Sequence, residues 1–450
     1  MDSTKVIEQV LTSSKADETI VIVTSHDKTN LRWANSGLTT NGREHHTYIA
    51  VISVIDKRVG TYVSTLNKAT DLSKLVKKSA SAALESPKAQ DYMPLVKGSG
   101  RWSKSQTAKT DEPGGLAENL GQVFASAGQN KWQMFGYSEL GRTDYWVGTS
   151  AGARKHYSHV QGQLELNAKS SDFKKSVWAG MPLKSFSEAD ALGLYKRLEQ
   201  KMKWSKKSIE LPAGKYEVIL EPSAAADMML FAYWMSSART AEEGHSAYSA
   251  PGGTVIGQQM YNQNVSVYSD PAEPGLEVAP FDITYATSQE ESVFDNAVEL
   301  KKTDWIKNGT QKHLMAPRYV AKRHGYSRPA PFIPNLIFKA NGPSLDDMIA
   351  STKNGLLITT FWYMREVDPQ NLLVTGLTRD GVFLIKNGQV QGAVNNFRFN
   401  MSPLAMLKQI EEIGKSQHTL AREFGDYFPL THMPALRVKD FNMSSVSKAK

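Results

Sequence analysis

Apolar and polar positions alternate with a period of two over residues 19–24, 47–55 and 59–66, the pattern of strands with one buried face. Asn41-Gly42 and the stretch 57–60 supply turn chemistry between them, so the segments read as an antiparallel meander rather than a βαβ array. A short helix is expected over 5–13, and the amphipathic run 71–84 predicts a second helix able to cover one face of the sheet. Residues 87–112 are polar and rich in turn formers, which reads as a loop or linker. A helical period over 116–127 then gives way to alternation at 132–140, 145–150, 156–166 and 173–179. Ser187 and Asp190 stand at capping-box spacing before a basic helix that carries Lys196, Arg197, Lys201, Lys203, Lys206 and Lys207.

A third region opens after Pro212-Ala213-Gly214. Residues 216–220 suit a strand, and Pro222-Ser223 supplies a stop and a helix N-cap. Met228, Phe231, Met235 and Ala238 recur at helical spacing, and Leu230 and Trp234 widen the stripe until the helix is buried on most of its circumference. It runs out into Glu242, Glu243, Gly244 and His245. Strands are expected near 265–268, 282–287 and 335–340, a capping box at Ser344 and Asp347, and an apolar strand from Gly355. Arg379-Asp380-Gly381 and Asn387-Gly388 read as two hairpin turns. A helix over 403–413 and a strand over 436–441 close the chain. The expected fold is α+β in three regions. Residues 1–100 give an N-terminal antiparallel sheet with covering helices, 101–210 a middle α/β region, and 211–450 a mostly-β C-terminal domain with curved sheets and a buried helix.

Composition narrows the chemistry. The chain has 450 residues, 40% of them hydrophobic and 22% charged, as in a globular protein of more than one core. No apolar run nears the roughly 18 residues of a membrane span. The first residues lack an apolar signal-peptide core, so a cytoplasmic location without a membrane partner is expected. With no cysteine, disulfides, thiolate nucleophiles and sulfur-ligated zinc within this chain are excluded. The net charge of +8 raises a nucleic-acid partner, but the basic residues are scattered. The cluster over 196–207 reads as a solvated helix face, so no direct nucleic-acid partner is expected. His156 and His159 fall three apart in an expected strand and so on opposite faces, which disfavours joint chelation, and His45-His46 shares the defect. Neither a Gly-x-Ser-x-Gly elbow nor a phosphate-binding glycine fingerprint occurs, although composition leaves a Ser/His/Asp triad open.

Residues 355–402 carry REVDP at 365–369, TGLTRDG at 375–381, IKNG at 385–388 and NNFRF at 395–399, and PALRVKDFNMSSVS follows at 434–447. In these motifs the chain resembles the TldD/PmbA (TldE) family, described as modulators of DNA gyrase that act as zinc-dependent proteases. The resemblance implies that TldD-type subunits carry His-Glu-x-x-x-His near the end of the buried helix and a distant cysteine that completes the zinc site. Imidazole and thiolate would hold the metal, an open position would take the attacking water, and the Glu would be its general base. The matching six residues here are Thr240, Ala241, Glu242, Glu243, Gly244 and His245. The departure implies the PmbA (TldE) side of the family: no catalytic set or metal in this chain, and zinc in a TldD-like partner.

The reading that follows is the non-zinc subunit of a cytosolic heteromeric metalloprotease, with a homodimer also open. It would act on unfolded or short peptides and trim leader peptides. One alternative is an independent metallopeptidase rebuilt on His245 and Glu242, or a hydrolase of another kind. Another is a non-enzymatic modulator of DNA gyrase or of a toxin–antitoxin protein. His245 is expected to line the substrate path or to serve structure. Glu242 and Glu243 are helix-end charges or face a peptide or partner. Arg365, Arg379, Asn396 and Arg398 would bind a peptide carboxylate or backbone, against the alternative of turn and sheet roles.

Overall fold

The computed structural model describes residues 2–103 and 106–447. Lys104 and Ser105, in the loop expected over 87–112, lie outside the described residues. Six strands form the first sheet: β1 (Glu18–Ala34), β2 (Gly37–Ile55), β3 (Arg58–Thr65), β4 (Trp132–Thr149), β5 (Arg154–Ser170) and β6 (Ser176–Leu183). Their order is β3-β2-β1-β4-β5-β6, and every neighbouring pair is antiparallel. Strands from either side of residue 100 therefore pair directly, as in Ile22 opposite Val147.

Both faces of this sheet are buried at its centre, where one buried face was expected, and residues 49–54 are an unbroken buried run. Val21, Val23, Ile49 and Val51 pack under α1 (Ser3–Ser13) and α2 (Leu72–Glu85). Ile20, Ile22, Ala50 and Ile52 pack on the other face against Phe281 and Phe294 of the C-terminal region. Gly60 lets α2 approach closely, because a Cβ there would lie 2.1 Å from the Ala83 backbone nitrogen.

The β1–β2 ribbon corrects the expected turn. Asn41-Gly42 lies inside β2, opposite Leu31 and Asn30, and the chain reverses at Asn35-Ser36, whose φ values are 50° and 60°. Two consecutive positive φ values are the type I′ requirement, which this pair meets without glycine. Residues 37–48 are mostly exposed, so burial there left no alternation to read. Residues 132–140 and 145–150 join into one strand, and Phe173, with φ 58°, sits in the turn after β5 rather than in β6.

Between the sheets lie α3 (Gly114–Gln129) and α4 (Ala191–Trp204). The cap of α4 is Asp190 alone, its carboxylate accepting from the Gly193 N–H at 2.7 Å, while Ser187 belongs to a separate 3-10 turn. Lys201 is buried on α4, and its ammonium meets Glu221 at 2.8 Å and the Trp178 carbonyl at 3.1 Å. The remaining basic residues of the 196–207 stretch stand partly or fully exposed.

The C-terminal sheet is mixed. Strand Gly214–Leu220 runs parallel to Asn354–Asp368 and antiparallel to Thr431–Met443, and Leu373–Lys386 continues beyond Asn354–Asp368. Val218, Leu220, Leu356 and Ile358 enter one core, while Ile219, Leu357, Phe383 and Ile385 enter another shared with α3, α4 and β5. That two-sided burial explains the unbroken apolar run from Gly355.

Several local expectations differ from the structure. Asn387-Gly388 forms its hairpin, but Arg379-Asp380-Gly381 lies within strand Leu373–Lys386 at an irregularity opposite Ile358 and Thr360. The reversal before that strand is at 369–372 instead, closed by the Leu372 N–H on the Pro369 carbonyl at 3.3 Å. Residues 282–287 form no strand, because their backbone is satisfied irregularly, partly by the Asn296 side chain. Strand Leu336–Ile337 is shorter than the expected 335–340. The helix expected over 403–413 ends at Lys408, and Ile410–Thr419 is a strand. Gly414 is there for packing, since a Cβ would stand 2.8 Å from the Met348 sulfur. The Ser344/Asp347 capping box is present.

Candidate functional site

The buried helix is two helices. α5 (Pro222–Trp234) is buried along nearly its whole length, from Ser223 to Tyr233. Its N-cap is Glu221 rather than Ser223, and no side chain caps it because the Glu221 carboxylate is engaged by Lys201. After Trp234 the backbone leaves the helix: Met315 N–H donates to the Ser236 carbonyl and Ala238 N–H to the Met315 carbonyl, both at 2.8 Å. Ser237 then caps α6 (Ala238–Glu242). Gly244, with φ 76°, ends it, and His245 N–H closes back onto the Thr240 carbonyl at 2.9 Å.

This short helix sorts the motif residues. Ala241 points into the core and is fully buried. The Thr240 hydroxyl donates to the Ser237 carbonyl at 3.1 Å. His245 is exposed and lines a cleft of about 210 Å³ with Thr240, Glu243, Glu290, Glu366 and Pro369. The cleft is tied to the 369–372 turn, with Ala247 N–H on the Pro369 carbonyl at 3.0 Å and Gln370 Nε2 on the Gly244 carbonyl at 3.1 Å. Glu243 pairs with Arg239 at 3.0 Å. Glu242 faces away from this cleft's lining, accepting the Tyr326 hydroxyl at 2.6 Å and lying 3.4 Å from His324 Nδ1. Burial and that carboxylate push the Tyr326 phenol up.

The His-Glu-x-x-x-His donors are not present at these motif positions. Zinc sites take three or four imidazole, thiolate or carboxylate ligands. Around His245, Ala241 offers none and the Thr240 hydroxyl is committed to the backbone. Among the described residues no group of three or more His, Cys, Asp or Glu side chains is placed to hold a metal ion.

The expected binding residues do not converge. Arg365 stacks over Tyr363 at 4.4 Å and lies 3.9 Å from Glu423. Arg398, on strand Phe397–Met401, donates to the Thr375 hydroxyl at 3.3 Å, and the Asn396 carbonyl accepts from Ser447 N–H at 2.8 Å. Arg379 lines a different pocket altogether. His156 stacks on Trp146 at 4.8 Å, whereas His159 is sandwiched by Tyr145 and Tyr157 at 5.9 and 5.7 Å.

Two groupings escaped the sequence. His418 and His432 face each other across neighbouring strands at 5.1 Å, and burial lowers both imidazole pKa values. Asp91 accepts from Thr287 and Ser292, and Asp295 is held by Arg318 at 2.7 Å near buried Asp282. Burial pushes the Asp282 and Asp295 carboxyls up. Strand register brings the two histidines together, and the acidic grouping joins Asp91 to the distant 282–295 segment, so no local spacing announces either.

Comparison with known proteins fits this architecture. The PmbA/TldA metallopeptidase C-terminal domain matches residues 213–445, and the chain belongs to that family. No curated protein sequence matches it. Among solved structures it is similar to TldE from Thermococcus kodakarensis, with 16% identity, 98% of this chain and 99% of that one covered, and a TM-score of 0.76. A proposed modulator of a DNA gyrase from Thermotoga maritima gives 16% identity, 98% and 99% coverage, and a TM-score of 0.79. Another, from Bacteroides thetaiotaomicron, gives 12% identity, 99% and 100% coverage, and the same TM-score of 0.79. At these identities the likeness establishes the shared fold.

Proposed function

We propose that this chain is the non-zinc, TldE-type subunit of a TldD/TldE-type metalloprotease, working in the cytosol on unfolded or short peptides and on leader peptides. The observation that carries this reading is the loss of donors at one helix end, with a core-facing Ala241 and a committed Thr240 hydroxyl beside the exposed His245. The TldE structure of matching fold supports it. Among the described residues no helix is long and apolar enough to cross a membrane, which accords with a subunit that works in solution. In this reading the partner contributes zinc, the attacking water and its general base. This chain contributes chamber wall and strand edges that pair with an extended peptide backbone.

Co-expression with a chain that carries an intact His-Glu-x-x-x-His tests the proposal. The two should co-purify, zinc should follow the partner, and cleavage of casein or short peptides should appear only in the complex. Chelator-sensitive cleavage by the isolated chain would overturn the reading in favour of an independent peptidase. Capture of gyrase without any peptidase partner would favour the modulator instead.

A further inference from the structure

A concavity of about 620 Å³ lies far along the sequence from His245, where the turn end of the first sheet meets the C-terminal sheet. Strand register builds its floor: Arg32 on β1 stands opposite Tyr137 on β4, which stands opposite Glu165 on β5. The Trp33 ring lies flat against the backbone at Gly136, where a Cβ would come within 2.5 Å of the indole. Trp362, Arg379 and Arg422 close the other side.

The charges are arranged unevenly. Four cations and three carboxylates line the pocket. Each carboxylate is already engaged: Glu165 accepts from the Trp178 indole at 2.9 Å and sits 3.5 Å from Arg422, Asp380 accepts from Ser176 at 2.6 Å, and Asp426 accepts from Gln163 at 2.7 Å. Three cations rest on aromatic faces instead: Arg32 over Tyr137 at 4.8 Å, Lys169 over Phe135 at 5.2 Å and Arg379 over Trp362 at 5.3 Å. Among the described residues none of these three makes an ion pair with a carboxylate. Arg422 shares the same platform, 4.9 Å from the Trp362 ring centre. The buried Trp33 Nε1 and Arg422 Nε find no acceptor, so the wall is short of acceptors as well as of negative charge.

We propose that this pocket binds an organic carboxylate carried next to an aromatic ring, as at the C-terminus of a peptide ending in phenylalanine, tyrosine or tryptophan or in a small aromatic acid. Guanidinium groups form charge-assisted hydrogen bonds to carboxylate oxygens, and indole faces stack on a flat ring. A single negative charge matches the surplus of one cation. A polyphosphate would set further negative charge against Glu165, Asp380 and Asp426. The inference stands on this pocket alone and does not depend on the subunit reading.

The test uses the isolated full-length chain and its own fluorescence, since Trp33, Trp178 and Trp362 are three of its nine tryptophans. N-acetyl-phenylalanine and a five-residue peptide ending in phenylalanine are titrated beside their C-terminal amides. Saturable quenching by an acid form is expected, with the amide weaker by about tenfold or more. Binding of the peptide alone would identify a peptide C-terminus as the source, and equal binding of both acids would show that ring and carboxylate suffice; both results support the proposal. R379A should weaken the acid form by about tenfold and R379K less, with the melting temperature nearly unchanged because Arg379 is exposed and held only by the Trp362 face. Equal binding of acid and amide, no effect of R379A, or no saturation up to about 10 mM with every ligand would each overturn it.

Discussion

Two concave sites of this protein differ in what is left over. On the helix end that leads into His245 little is unassigned: Ala241 is core, the Thr240 hydroxyl is committed to the backbone, Glu243 pairs with Arg239, and Glu242 belongs to Tyr326 and His324. The pocket at Trp362 keeps cations held only by ring faces and donors without acceptors. The helix end singled out by a family motif therefore need not be where uncommitted polar groups collect.

The strongest way to break the comparison is to rebuild the first site. A241E would place a carboxylate in a fully buried position, at a cost of about 3–5 kcal/mol measured by denaturant unfolding. Even combined with T240H it should not bring zinc into the isolated chain. A stable double variant with stoichiometric zinc would show that the cleft is a dormant metal site.

Next in size is a contrast between two buried titratable groups. His159, between two tyrosines, has its pKa pushed down to about 4 by burial, so it stays neutral in the fold while the unfolded chain protonates nearer 6.5. Stability should be full above pH 6.5 and fall by roughly 2–4 kcal/mol as pH drops to 4. H159F should flatten this acid limb. Asp282 works in the opposite direction, because burial raises its pKa: its contribution is full below the unfolded value near 3.8 and is lost as pH rises through the folded one. D282N should therefore lessen the decline on that side, as followed by thermal melts across pH.

G136A tests the pocket wall, since the new methyl would meet the Glu165 carbonyl at 2.3 Å as well as the Trp33 ring. Overpacking of that kind costs about 1–3 kcal/mol and should shift tryptophan emission. The smallest effect belongs to H245A. Its imidazole is exposed, so stability should move by less than about 0.5 kcal/mol, with zinc content unaltered.

The fold class was legible because core strands declare themselves by β-branched apolar runs, as at 49–54 and 218–220, and because the α5 segment is apolar on nearly every side. Legibility failed where tertiary contacts displaced local signals. Asn41-Gly42 looks like a turn but lies along an exposed ribbon, while Asn35-Ser36 makes the reversal with residues that carry a weaker signal. The helix from Pro222 looks continuous to Glu242, yet pairing with Met315 interrupts it. Of the candidate residues, His245 could be placed from its helix end and glycine. Arg379 could not, because its neighbours Arg32, Tyr137 and Glu165 come from strands more than 200 positions away.

The core that α3 and α4 share with Ile219, Leu357, Phe383 and Ile385 has a practical consequence. Expressed alone, either half would present a broad greasy face to solvent and aggregate. A protease nick between residues 206 and 213 should instead leave two fragments that migrate together on a native gel and separate only in denaturant, a self-complementing pair rather than two modules on a string.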